Sequence, residues 1–255
     1  MPSELDGLTA VVTGSSSGIG RAIALELAAA GADCLIHARQ NRAGADAVAA
    51  EIRGRKRQAQ VLSADLARTD AQDEFAAQAW QWQGKVDIWI NNAGADTLTG
   101  DAAEWSFERK LEELWRVDVT ATIRLSRLIG AKMKERGSGV ILNMGWDAAD
   151  RGMAGDSGEL FAATKGAVMA FTRSLAHSLA PTVRVNCLAP GWIKTKWGEQ
   201  ASASWQRRAE SESLLSRWGT PDDVARVARF LVSPAAAFIN GQIVQVNGGL
   251  VGGKS

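Results

Sequence analysis

A chain of 255 residues with 46% hydrophobic side chains can bury one substantial core, and its formal net charge of +1 provides no field for nucleic acid or an anionic membrane. A small molecule is therefore the expected partner. No apolar run approaches the ~20 residues of a membrane helix, and "MPSELDGLTAVVTG" places acids before its first apolar run, unlike a secretory signal.

Short β-type runs follow one another along the chain ("LTAVVT", "DCLIHA", "AQVLSA", "VDIWIN", "GVILNM", "VRVNCL", "QIVQV"), separated by longer helix-period stretches such as "GRAIALELAAAGA" and "TKGAVMAFTRSLAHSLA". Strands alternating with helices predict an α/β fold. The expectation is a single Rossmann-type domain over residues 1–255, a three-layer sandwich around a doubly wound parallel sheet of about seven strands, with the ligand site along the carboxyl ends. Residues 192–218, polar and dotted with tryptophan, fall outside the rhythm and are expected to act as a substrate lid.

The first strand and helix are joined by a glycine-rich turn, "TGSSSGIG", in which Gly14, Gly18 and Gly20 flank Ser15, Ser17 and Ile19. Glycines let the backbone bend tightly and approach a ligand, and a helix amino end presents free N–H groups and a positive dipole to a pyrophosphate. At the end of the second strand, Ala38 stands where an acid would bind a ribose 2′-hydroxyl, and Arg39 follows it. A guanidinium matches a 2′-phosphate, and no acid lies close to it in the chain, so NADP(H) is expected in preference to NAD(H), with Ser15 and Arg42 assisting. Asp65 and Leu66, after the third strand, are expected at the adenine edge, although Asp65 also suits a helix cap. Cys34 and Cys187 sit in apolar strand-like runs and read as buried thiols of a reducing compartment, the cytoplasm. His37 reads as structural, and with only His177 besides it there is no basis for a metal site.

The glycine turn and the stretches after it resemble the short-chain dehydrogenase/reductase family over nearly the whole chain. "NNAG" at Asn91 to Gly94, including Ala93, closes the fourth strand; "LNM" closes the fifth; Lys165 opens a helix; and "PGWIKT" follows the sixth, with Pro190, Gly191, Ile193 and Thr195. "GTPDDVARVARFLVSP" and "INGQIVQVNGG" match its carboxyl-terminal pattern. The resemblance implies pyridine-nucleotide contacts from these residues, hydride transfer to or from a small carbonyl, alcohol or imine, and assembly as a homotetramer or, alternatively, a dimer.

The catalytic positions depart from that pattern. The resemblance places a tyrosine four residues before the lysine, a serine after the fifth strand and an asparagine on an earlier helix. Here Phe161 precedes Lys165, Trp146 or a residue near Ala148 takes the serine position, and Asp118 takes the asparagine position; the chain contains no tyrosine. Phenylalanine has no proton to give, so a non-standard donor is expected. Asp118 is the first candidate, as a protonated acid, as a partner of Lys165 or as a counter-charge for a cationic substrate; Asp147 and Glu159 rank behind it. The form of "DSGE" makes Asp156, Ser157 and Glu159 better suited to capping a helix. Trp146, Trp192 and Trp197 are expected to wall the pocket and to suit an aromatic or sugar-like ring. Two alternatives remain open: a cofactor-binding protein without turnover, serving as sensor or oligomer partner, and a non-redox lyase or isomerase on the same scaffold.

Overall fold

The computed structural model describes residues 3–249. Among these residues, seven strands form one parallel sheet in the order β3-β2-β1-β4-β5-β6-β7. They are β1 (Thr9–Val12), β2 (Asp33–Ala38), β3 (Ala59–Ser63), β4 (Ile88–Asn91), β5 (Gly139–Met144), β6 (Val183–Pro190) and β7 (Ile243–Val246). Every residue of β1 and β4 is buried, which explains their apolar character without polar alternation: helices cover both faces.

One face packs against α1 (Gly18–Ala29), α2 (Arg42–Gly54) and α9 (Pro221–Val232), in a core containing Ile23, Leu27, Val48, Ile52, Val224 and Leu231. The other packs against α3 (Thr69–Trp82), α5 (Ala121–Arg136) and α6 (Asp156–Leu179), around Phe75, Trp89, Leu125, Ile129 and Leu175. Burying such large side chains contributes about 1.5–3 kcal/mol each. Local signals agree with the tertiary arrangement. Thr220 and Asp223 form a reciprocal capping box at the start of α9, with Pro221 in its first turn.

Strand β1 pairs with β2 on one side and β4 on the other, so the connections reverse direction there and leave a crevice beyond the carboxyl ends. The chain between β4 and α5 supplies α4 (Phe107–Leu114) and a π-helical turn, Trp115–Thr120. After β6 the chain forms α7 (Lys196–Gln200) and α8 (Ala203–Glu212), which account for most of the irregular 192–218 segment.

The start of α6 departs from the capping expectation. Gly155 is its N-cap with φ +91°, and no side chain caps it; Asp156 is already the first helical residue. Gly155 provides the turn through backbone freedom, its carbonyl accepting from Glu159 N–H at 3.0 Å.

Candidate active site

The crevice holds a cleft of about 850 Å³, lined on one side by Gly14, Ser16 and Ser17, and on others by Arg39, Asp65, Leu66, Ala93 and Gly94. Helix α1 points its amino end here without a side-chain cap, so its first-turn N–H groups are available to an anion. Gly14 has φ +63°, and a Cβ there would approach Ala93 Cα to 2.8 Å. The turn therefore requires glycine both for its conformation and for its contact with the "NNAG" segment.

His37 fixes that turn from below. Its Nδ1 accepts the Gly14 N–H at 3.0 Å, and its Nε2 lies 3.1 Å from the Ala64 carbonyl. These bonds define a neutral ring with the proton on Nε2, and burial lowers its pKa to about 4. Ser15 is equally internal: its hydroxyl donates to Val12 O at 2.6 Å and accepts from His37 N–H at 3.0 Å. The expectation that Ser15 helps to bind a phosphate thus meets a side chain already engaged in holding the turn. Gly20 packs against Gly14 and the Asn92 amide, and Gly18, with φ +55°, faces Thr195.

Asn91 lies beneath the site and does not line it. Its amide donates to Ser126 Oγ and Asn143 Oδ1, both at 2.8 Å, and its Oδ1 accepts from Trp89 Nε1; Asn143 in turn donates to Thr172 Oγ1 at 3.0 Å. This buried network ties β4, β5, α5 and α6 together. The next residue, Asn92, is the one facing outward, anchored by its amide to Thr13 O and Gly14 O. It lines the cleft and also a second chamber.

Arg39 is 51% exposed, and its guanidinium reaches across to Glu113 Oε1 on α4 at 3.4 Å. The carboxylate absent from the neighbouring sequence is thus supplied by a distant helix. Arg42 pairs with Asp46 at 3.0 Å on the exposed side of α2 and takes no part in the lining. Asp65 lines the cleft while its Oδ1 accepts the Ala67 N–H at 3.1 Å in a local turn; it does not cap α3, whose N-cap is Arg68 without a side-chain cap.

The second chamber, about 450 Å³, adjoins the cleft at Asn92. Ile19, Pro190, Gly191, Ile193 and Thr195 contribute to its lining, as do Phe161 and Lys165 from α6. Ser157, Phe161 and Lys165 succeed one another at four-residue spacing, so they share one helix face. Ser157 lines the chamber, a placement that its spacing from Phe161 encodes and its fit to a capping pattern obscures.

Lys165 Nζ lies 2.7 Å from Asp118 Oδ2, with the side chains 13% and 2% exposed. The other carboxylate oxygen accepts the Ala95 N–H at 2.8 Å. Asp118 comes from the π-helical turn, and Gly94 lets it approach: a Cβ on Gly94 would lie 3.0 Å from Asp118 Oδ2. Of the roles considered for Asp118, the geometry displays the partner of Lys165; the carboxylate does not line the chamber.

Trp146 lines the chamber and meets the Phe161 ring edge-on, with centroids 6.3 Å apart. Trp192 and Trp197 are stacked at 6.3 Å and 19°, and Trp205 packs against them at 5.4 and 5.9 Å. All three line the chamber, and Trp218 closes the cluster from behind. Ala148 faces only a smaller neighbouring cavity. Asp147 lies there as well, beside Arg151, Arg208 and Glu212. Burial pushes the Asp147 carboxyl above the usual carboxylate range, opposed by the Asn247 amide at 3.1 Å and Arg151 at 3.6 Å. Glu159 is exposed on the first turn of α6 and borders neither space.

Cys34 and Cys187 are buried free thiols, which burial holds well above the usual thiol range. Among the described residues, no group of three or more His, Cys, Asp or Glu is placed to hold a metal ion, and no helix is long and apolar enough to cross a membrane.

A parallel sheet of this order, with a glycine turn opening the first helix at the switch point, defines a Rossmann-type α/β protein. Residues 14–251 match the family model described as "Enoyl-(Acyl carrier protein) reductase". An uncharacterized oxidoreductase of Mycobacterium tuberculosis is 38% identical over 253 residues, covering 96% of this chain and 93% of the relative. The structure of a 7 alpha-hydroxysteroid dehydrogenase complexed with NADH and 7-oxo glycochenodeoxycholic acid is similar at TM-score 0.89 and 31% identity, covering 99% of this chain and 97% of that one. A short chain dehydrogenase from Burkholderia cenocepacia in complex with NADP matches at TM-score 0.86 and 33% identity, covering 96% and 98%. The chain belongs to the short-chain dehydrogenase/reductase family and is an oxidoreductase of that type.

Proposed function

We propose that this protein is an NADP(H)-dependent oxidoreductase that moves a hydride to or from a small carbonyl, alcohol or imine, using a proton arrangement without the family's tyrosine. The observation that carries the reading is the continuity of the cleft with the aromatic chamber at Asn92, with Lys165 on the chamber wall. The residues present fit a dinucleotide: the open amino end of α1 suits its diphosphate, Asp65 and Leu66 its adenine, and Lys165, Gly191 and Thr195 its nicotinamide half. When bound, the cofactor supplies the hydride and its two electrons.

Arg39 supports the phosphorylated form, since a 2′-phosphate would draw its guanidinium away from Glu113. Lys165 keeps a charge-assisted donor at the ribose while Asp118 offsets its charge and fixes its position. Residues 192–218 serve as the lid of a single domain, their tryptophans excluding water. Neither Asp118, engaged on both oxygens, nor Glu159, outside the chamber, is placed as the base of a non-redox reaction. We read the protein as a cytoplasmic homotetramer, with a dimer as the alternative; the edge position of β7 and the exposed Phe230 of α9 and nearby Phe238 support assembly through that end.

The test combines calorimetry with NADPH and NADH and absorbance assays over carbonyl and imine compounds, on the protein and on Phe161→Tyr. NADPH is expected to bind more tightly, and Phe161→Tyr to raise ketone reduction about 10²- to 10⁴-fold, the usual contribution of general acid catalysis. Absence of heat with either dinucleotide would refute the reading.

A further inference from the structure

We infer that the chamber is built for a substrate that already carries the positive charge of its reactive bond, an iminium ion on or beside a flat ring, reduced without any protein acid. The inference rests on the oxidoreductase reading above and names its substrate class. Two independent features carry it.

The first is the chemistry of the wall. Among the described residues, the chamber is lined by no carboxylic acid, histidine or tyrosine; its polar side chains are Asn92, Ser157, Lys165 and Thr195. The Asn92 amide donates to the glycine turn, serine and threonine hydroxyls ionise far too weakly to serve as ordinary general acids, and the Lys165 ammonium is held by the Asp118 carboxylate at 2.7 Å, which favours retention of its proton. A ketone reduced here would generate an alkoxide beside these groups. An iminium ion makes no such demand. Hydride adds to its carbon, the π pair of the C=N bond becomes the nitrogen lone pair, and a neutral amine results; no proton is transferred. The hydride and its two electrons come from the reduced nicotinamide named above.

The second is the distribution of π faces and charge. Five aromatic rings line the chamber: Trp146, Phe161, Trp192, Trp197 and Trp205. Ring quadrupoles attract a desolvated cation, and a flat delocalised one also stacks. Lys165, the one charged lining residue among those described, would repel a cation, but the buried Asp118 carboxylate lies 2.7 Å away and offsets it. The Trp192 indole N–H donates to Glu212 Oε2 at 2.8 Å, which makes that ring richer in electrons. The protein already pairs a cation with these rings: the Arg208 guanidinium lies 5.0 Å from the Trp205 ring and 5.7 Å from that of Trp192. Arg208 lines the neighbouring cavity and is matched by Glu212 at 2.7 Å, so it leaves the chamber to a ligand and adds little net charge.

The experiment has two arms. Calorimetry on the protein without dinucleotide compares 1-methylquinolinium with 4-methylquinoline at mildly alkaline pH, where the latter is uncharged; the two are nearly the same size and shape. The cation is expected to bind about tenfold more tightly, a preference of the size that cation–π contacts provide. Trp205→Leu, on the half-exposed helix α8, is expected to remove most of the preference, and Trp205→Phe to restore part of it. Equal affinity for the two compounds in the unaltered protein would overturn the inference. In the second arm, NADPH oxidation is followed with N-methyl-3,4-dihydroisoquinolinium and with 2-tetralone. The iminium is expected to be reduced about 10²-fold or more faster than the ketone, which depends on the missing acid. Reduction of 2-tetralone with equal efficiency would overturn the substrate class and leave the oxidoreductase reading intact. Lack of NADPH binding would instead remove that reading, whereas the cation preference is measured without the dinucleotide.

Discussion

Acidification from pH 7.5 to 5 should destabilise this protein mainly through His37. The folded state holds its imidazole neutral, with a pKa of about 4 against the ordinary 6.5. Its Nδ1 must stay unprotonated to accept the Gly14 N–H. The unfolded chain takes up a proton as pH falls through about 6.5, while the folded chain resists until about pH 4. The associated stability is therefore fully present above the unfolded value and is lost as pH falls towards the folded one. At about 1.4 kcal/mol per pKa unit, the total loss is about 3 kcal/mol, of which about 2 kcal/mol falls between pH 7.5 and 5. Asp147, whose pKa is raised, shifts in the opposite sense and offsets part of this. The assay is therefore a comparison: urea unfolding at both pH values for the protein and for His37→Asn, whose amide oxygen can replace Nδ1 but cannot titrate. The parent should lose about 2 kcal/mol more than the variant over that interval. An identical pH dependence of the two proteins would refute the reasoning.

Two further outcomes follow from charge placement. Glu113→Gln removes the carboxylate that competes for Arg39, so NADPH affinity should rise about threefold or more with little change for NADH, as read by calorimetry. Unchanged NADPH affinity would separate Arg39 from the 2′-phosphate. Asp118→Asn leaves the Lys165 ammonium without its counter-charge in a nearly closed site. Removing one member of a buried pair costs about 3–5 kcal/mol, and water reaching the partly exposed lysine should place this variant at the lower end. In urea unfolding, a double-mutant cycle with Lys165→Met should recover most of that loss, and additivity would show that the two charges act separately.

The fold was largely legible because its strands are buried on both faces, and runs such as "AVV" or "IWIN" have few alternative homes. Glycine spacing likewise located the turn at Gly14, whose backbone conformation other residues resist. Legibility failed where one position or one distant contact decides. Asn91 and Asn92 are chemically identical, but adjacent residues of an extended chain point in opposite directions, so one joins the buried network and its neighbour faces the crevice. The approach of Asp118 to Lys165 depends on a π-helical turn that a 3.6-residue period does not reveal. Glu113 meets Arg39 across 74 residues of chain, and local sequence carries no trace of that encounter. Ser157 was encoded by its spacing from Phe161, but its resemblance to a cap concealed it.

The tryptophan cluster over the chamber also gives the molecule an optical signature. With ten tryptophans and no tyrosine in the chain, its near-ultraviolet emission arises from indole. Trp197, Trp205 and Trp218 each lie within 6.3 Å of Trp192, close enough for their transitions to couple and exchange excitation. Circular dichroism in that band therefore reports the mutual orientation of the rings. A guest entering between them would rewrite the spectrum, providing a label-free signal of occupancy.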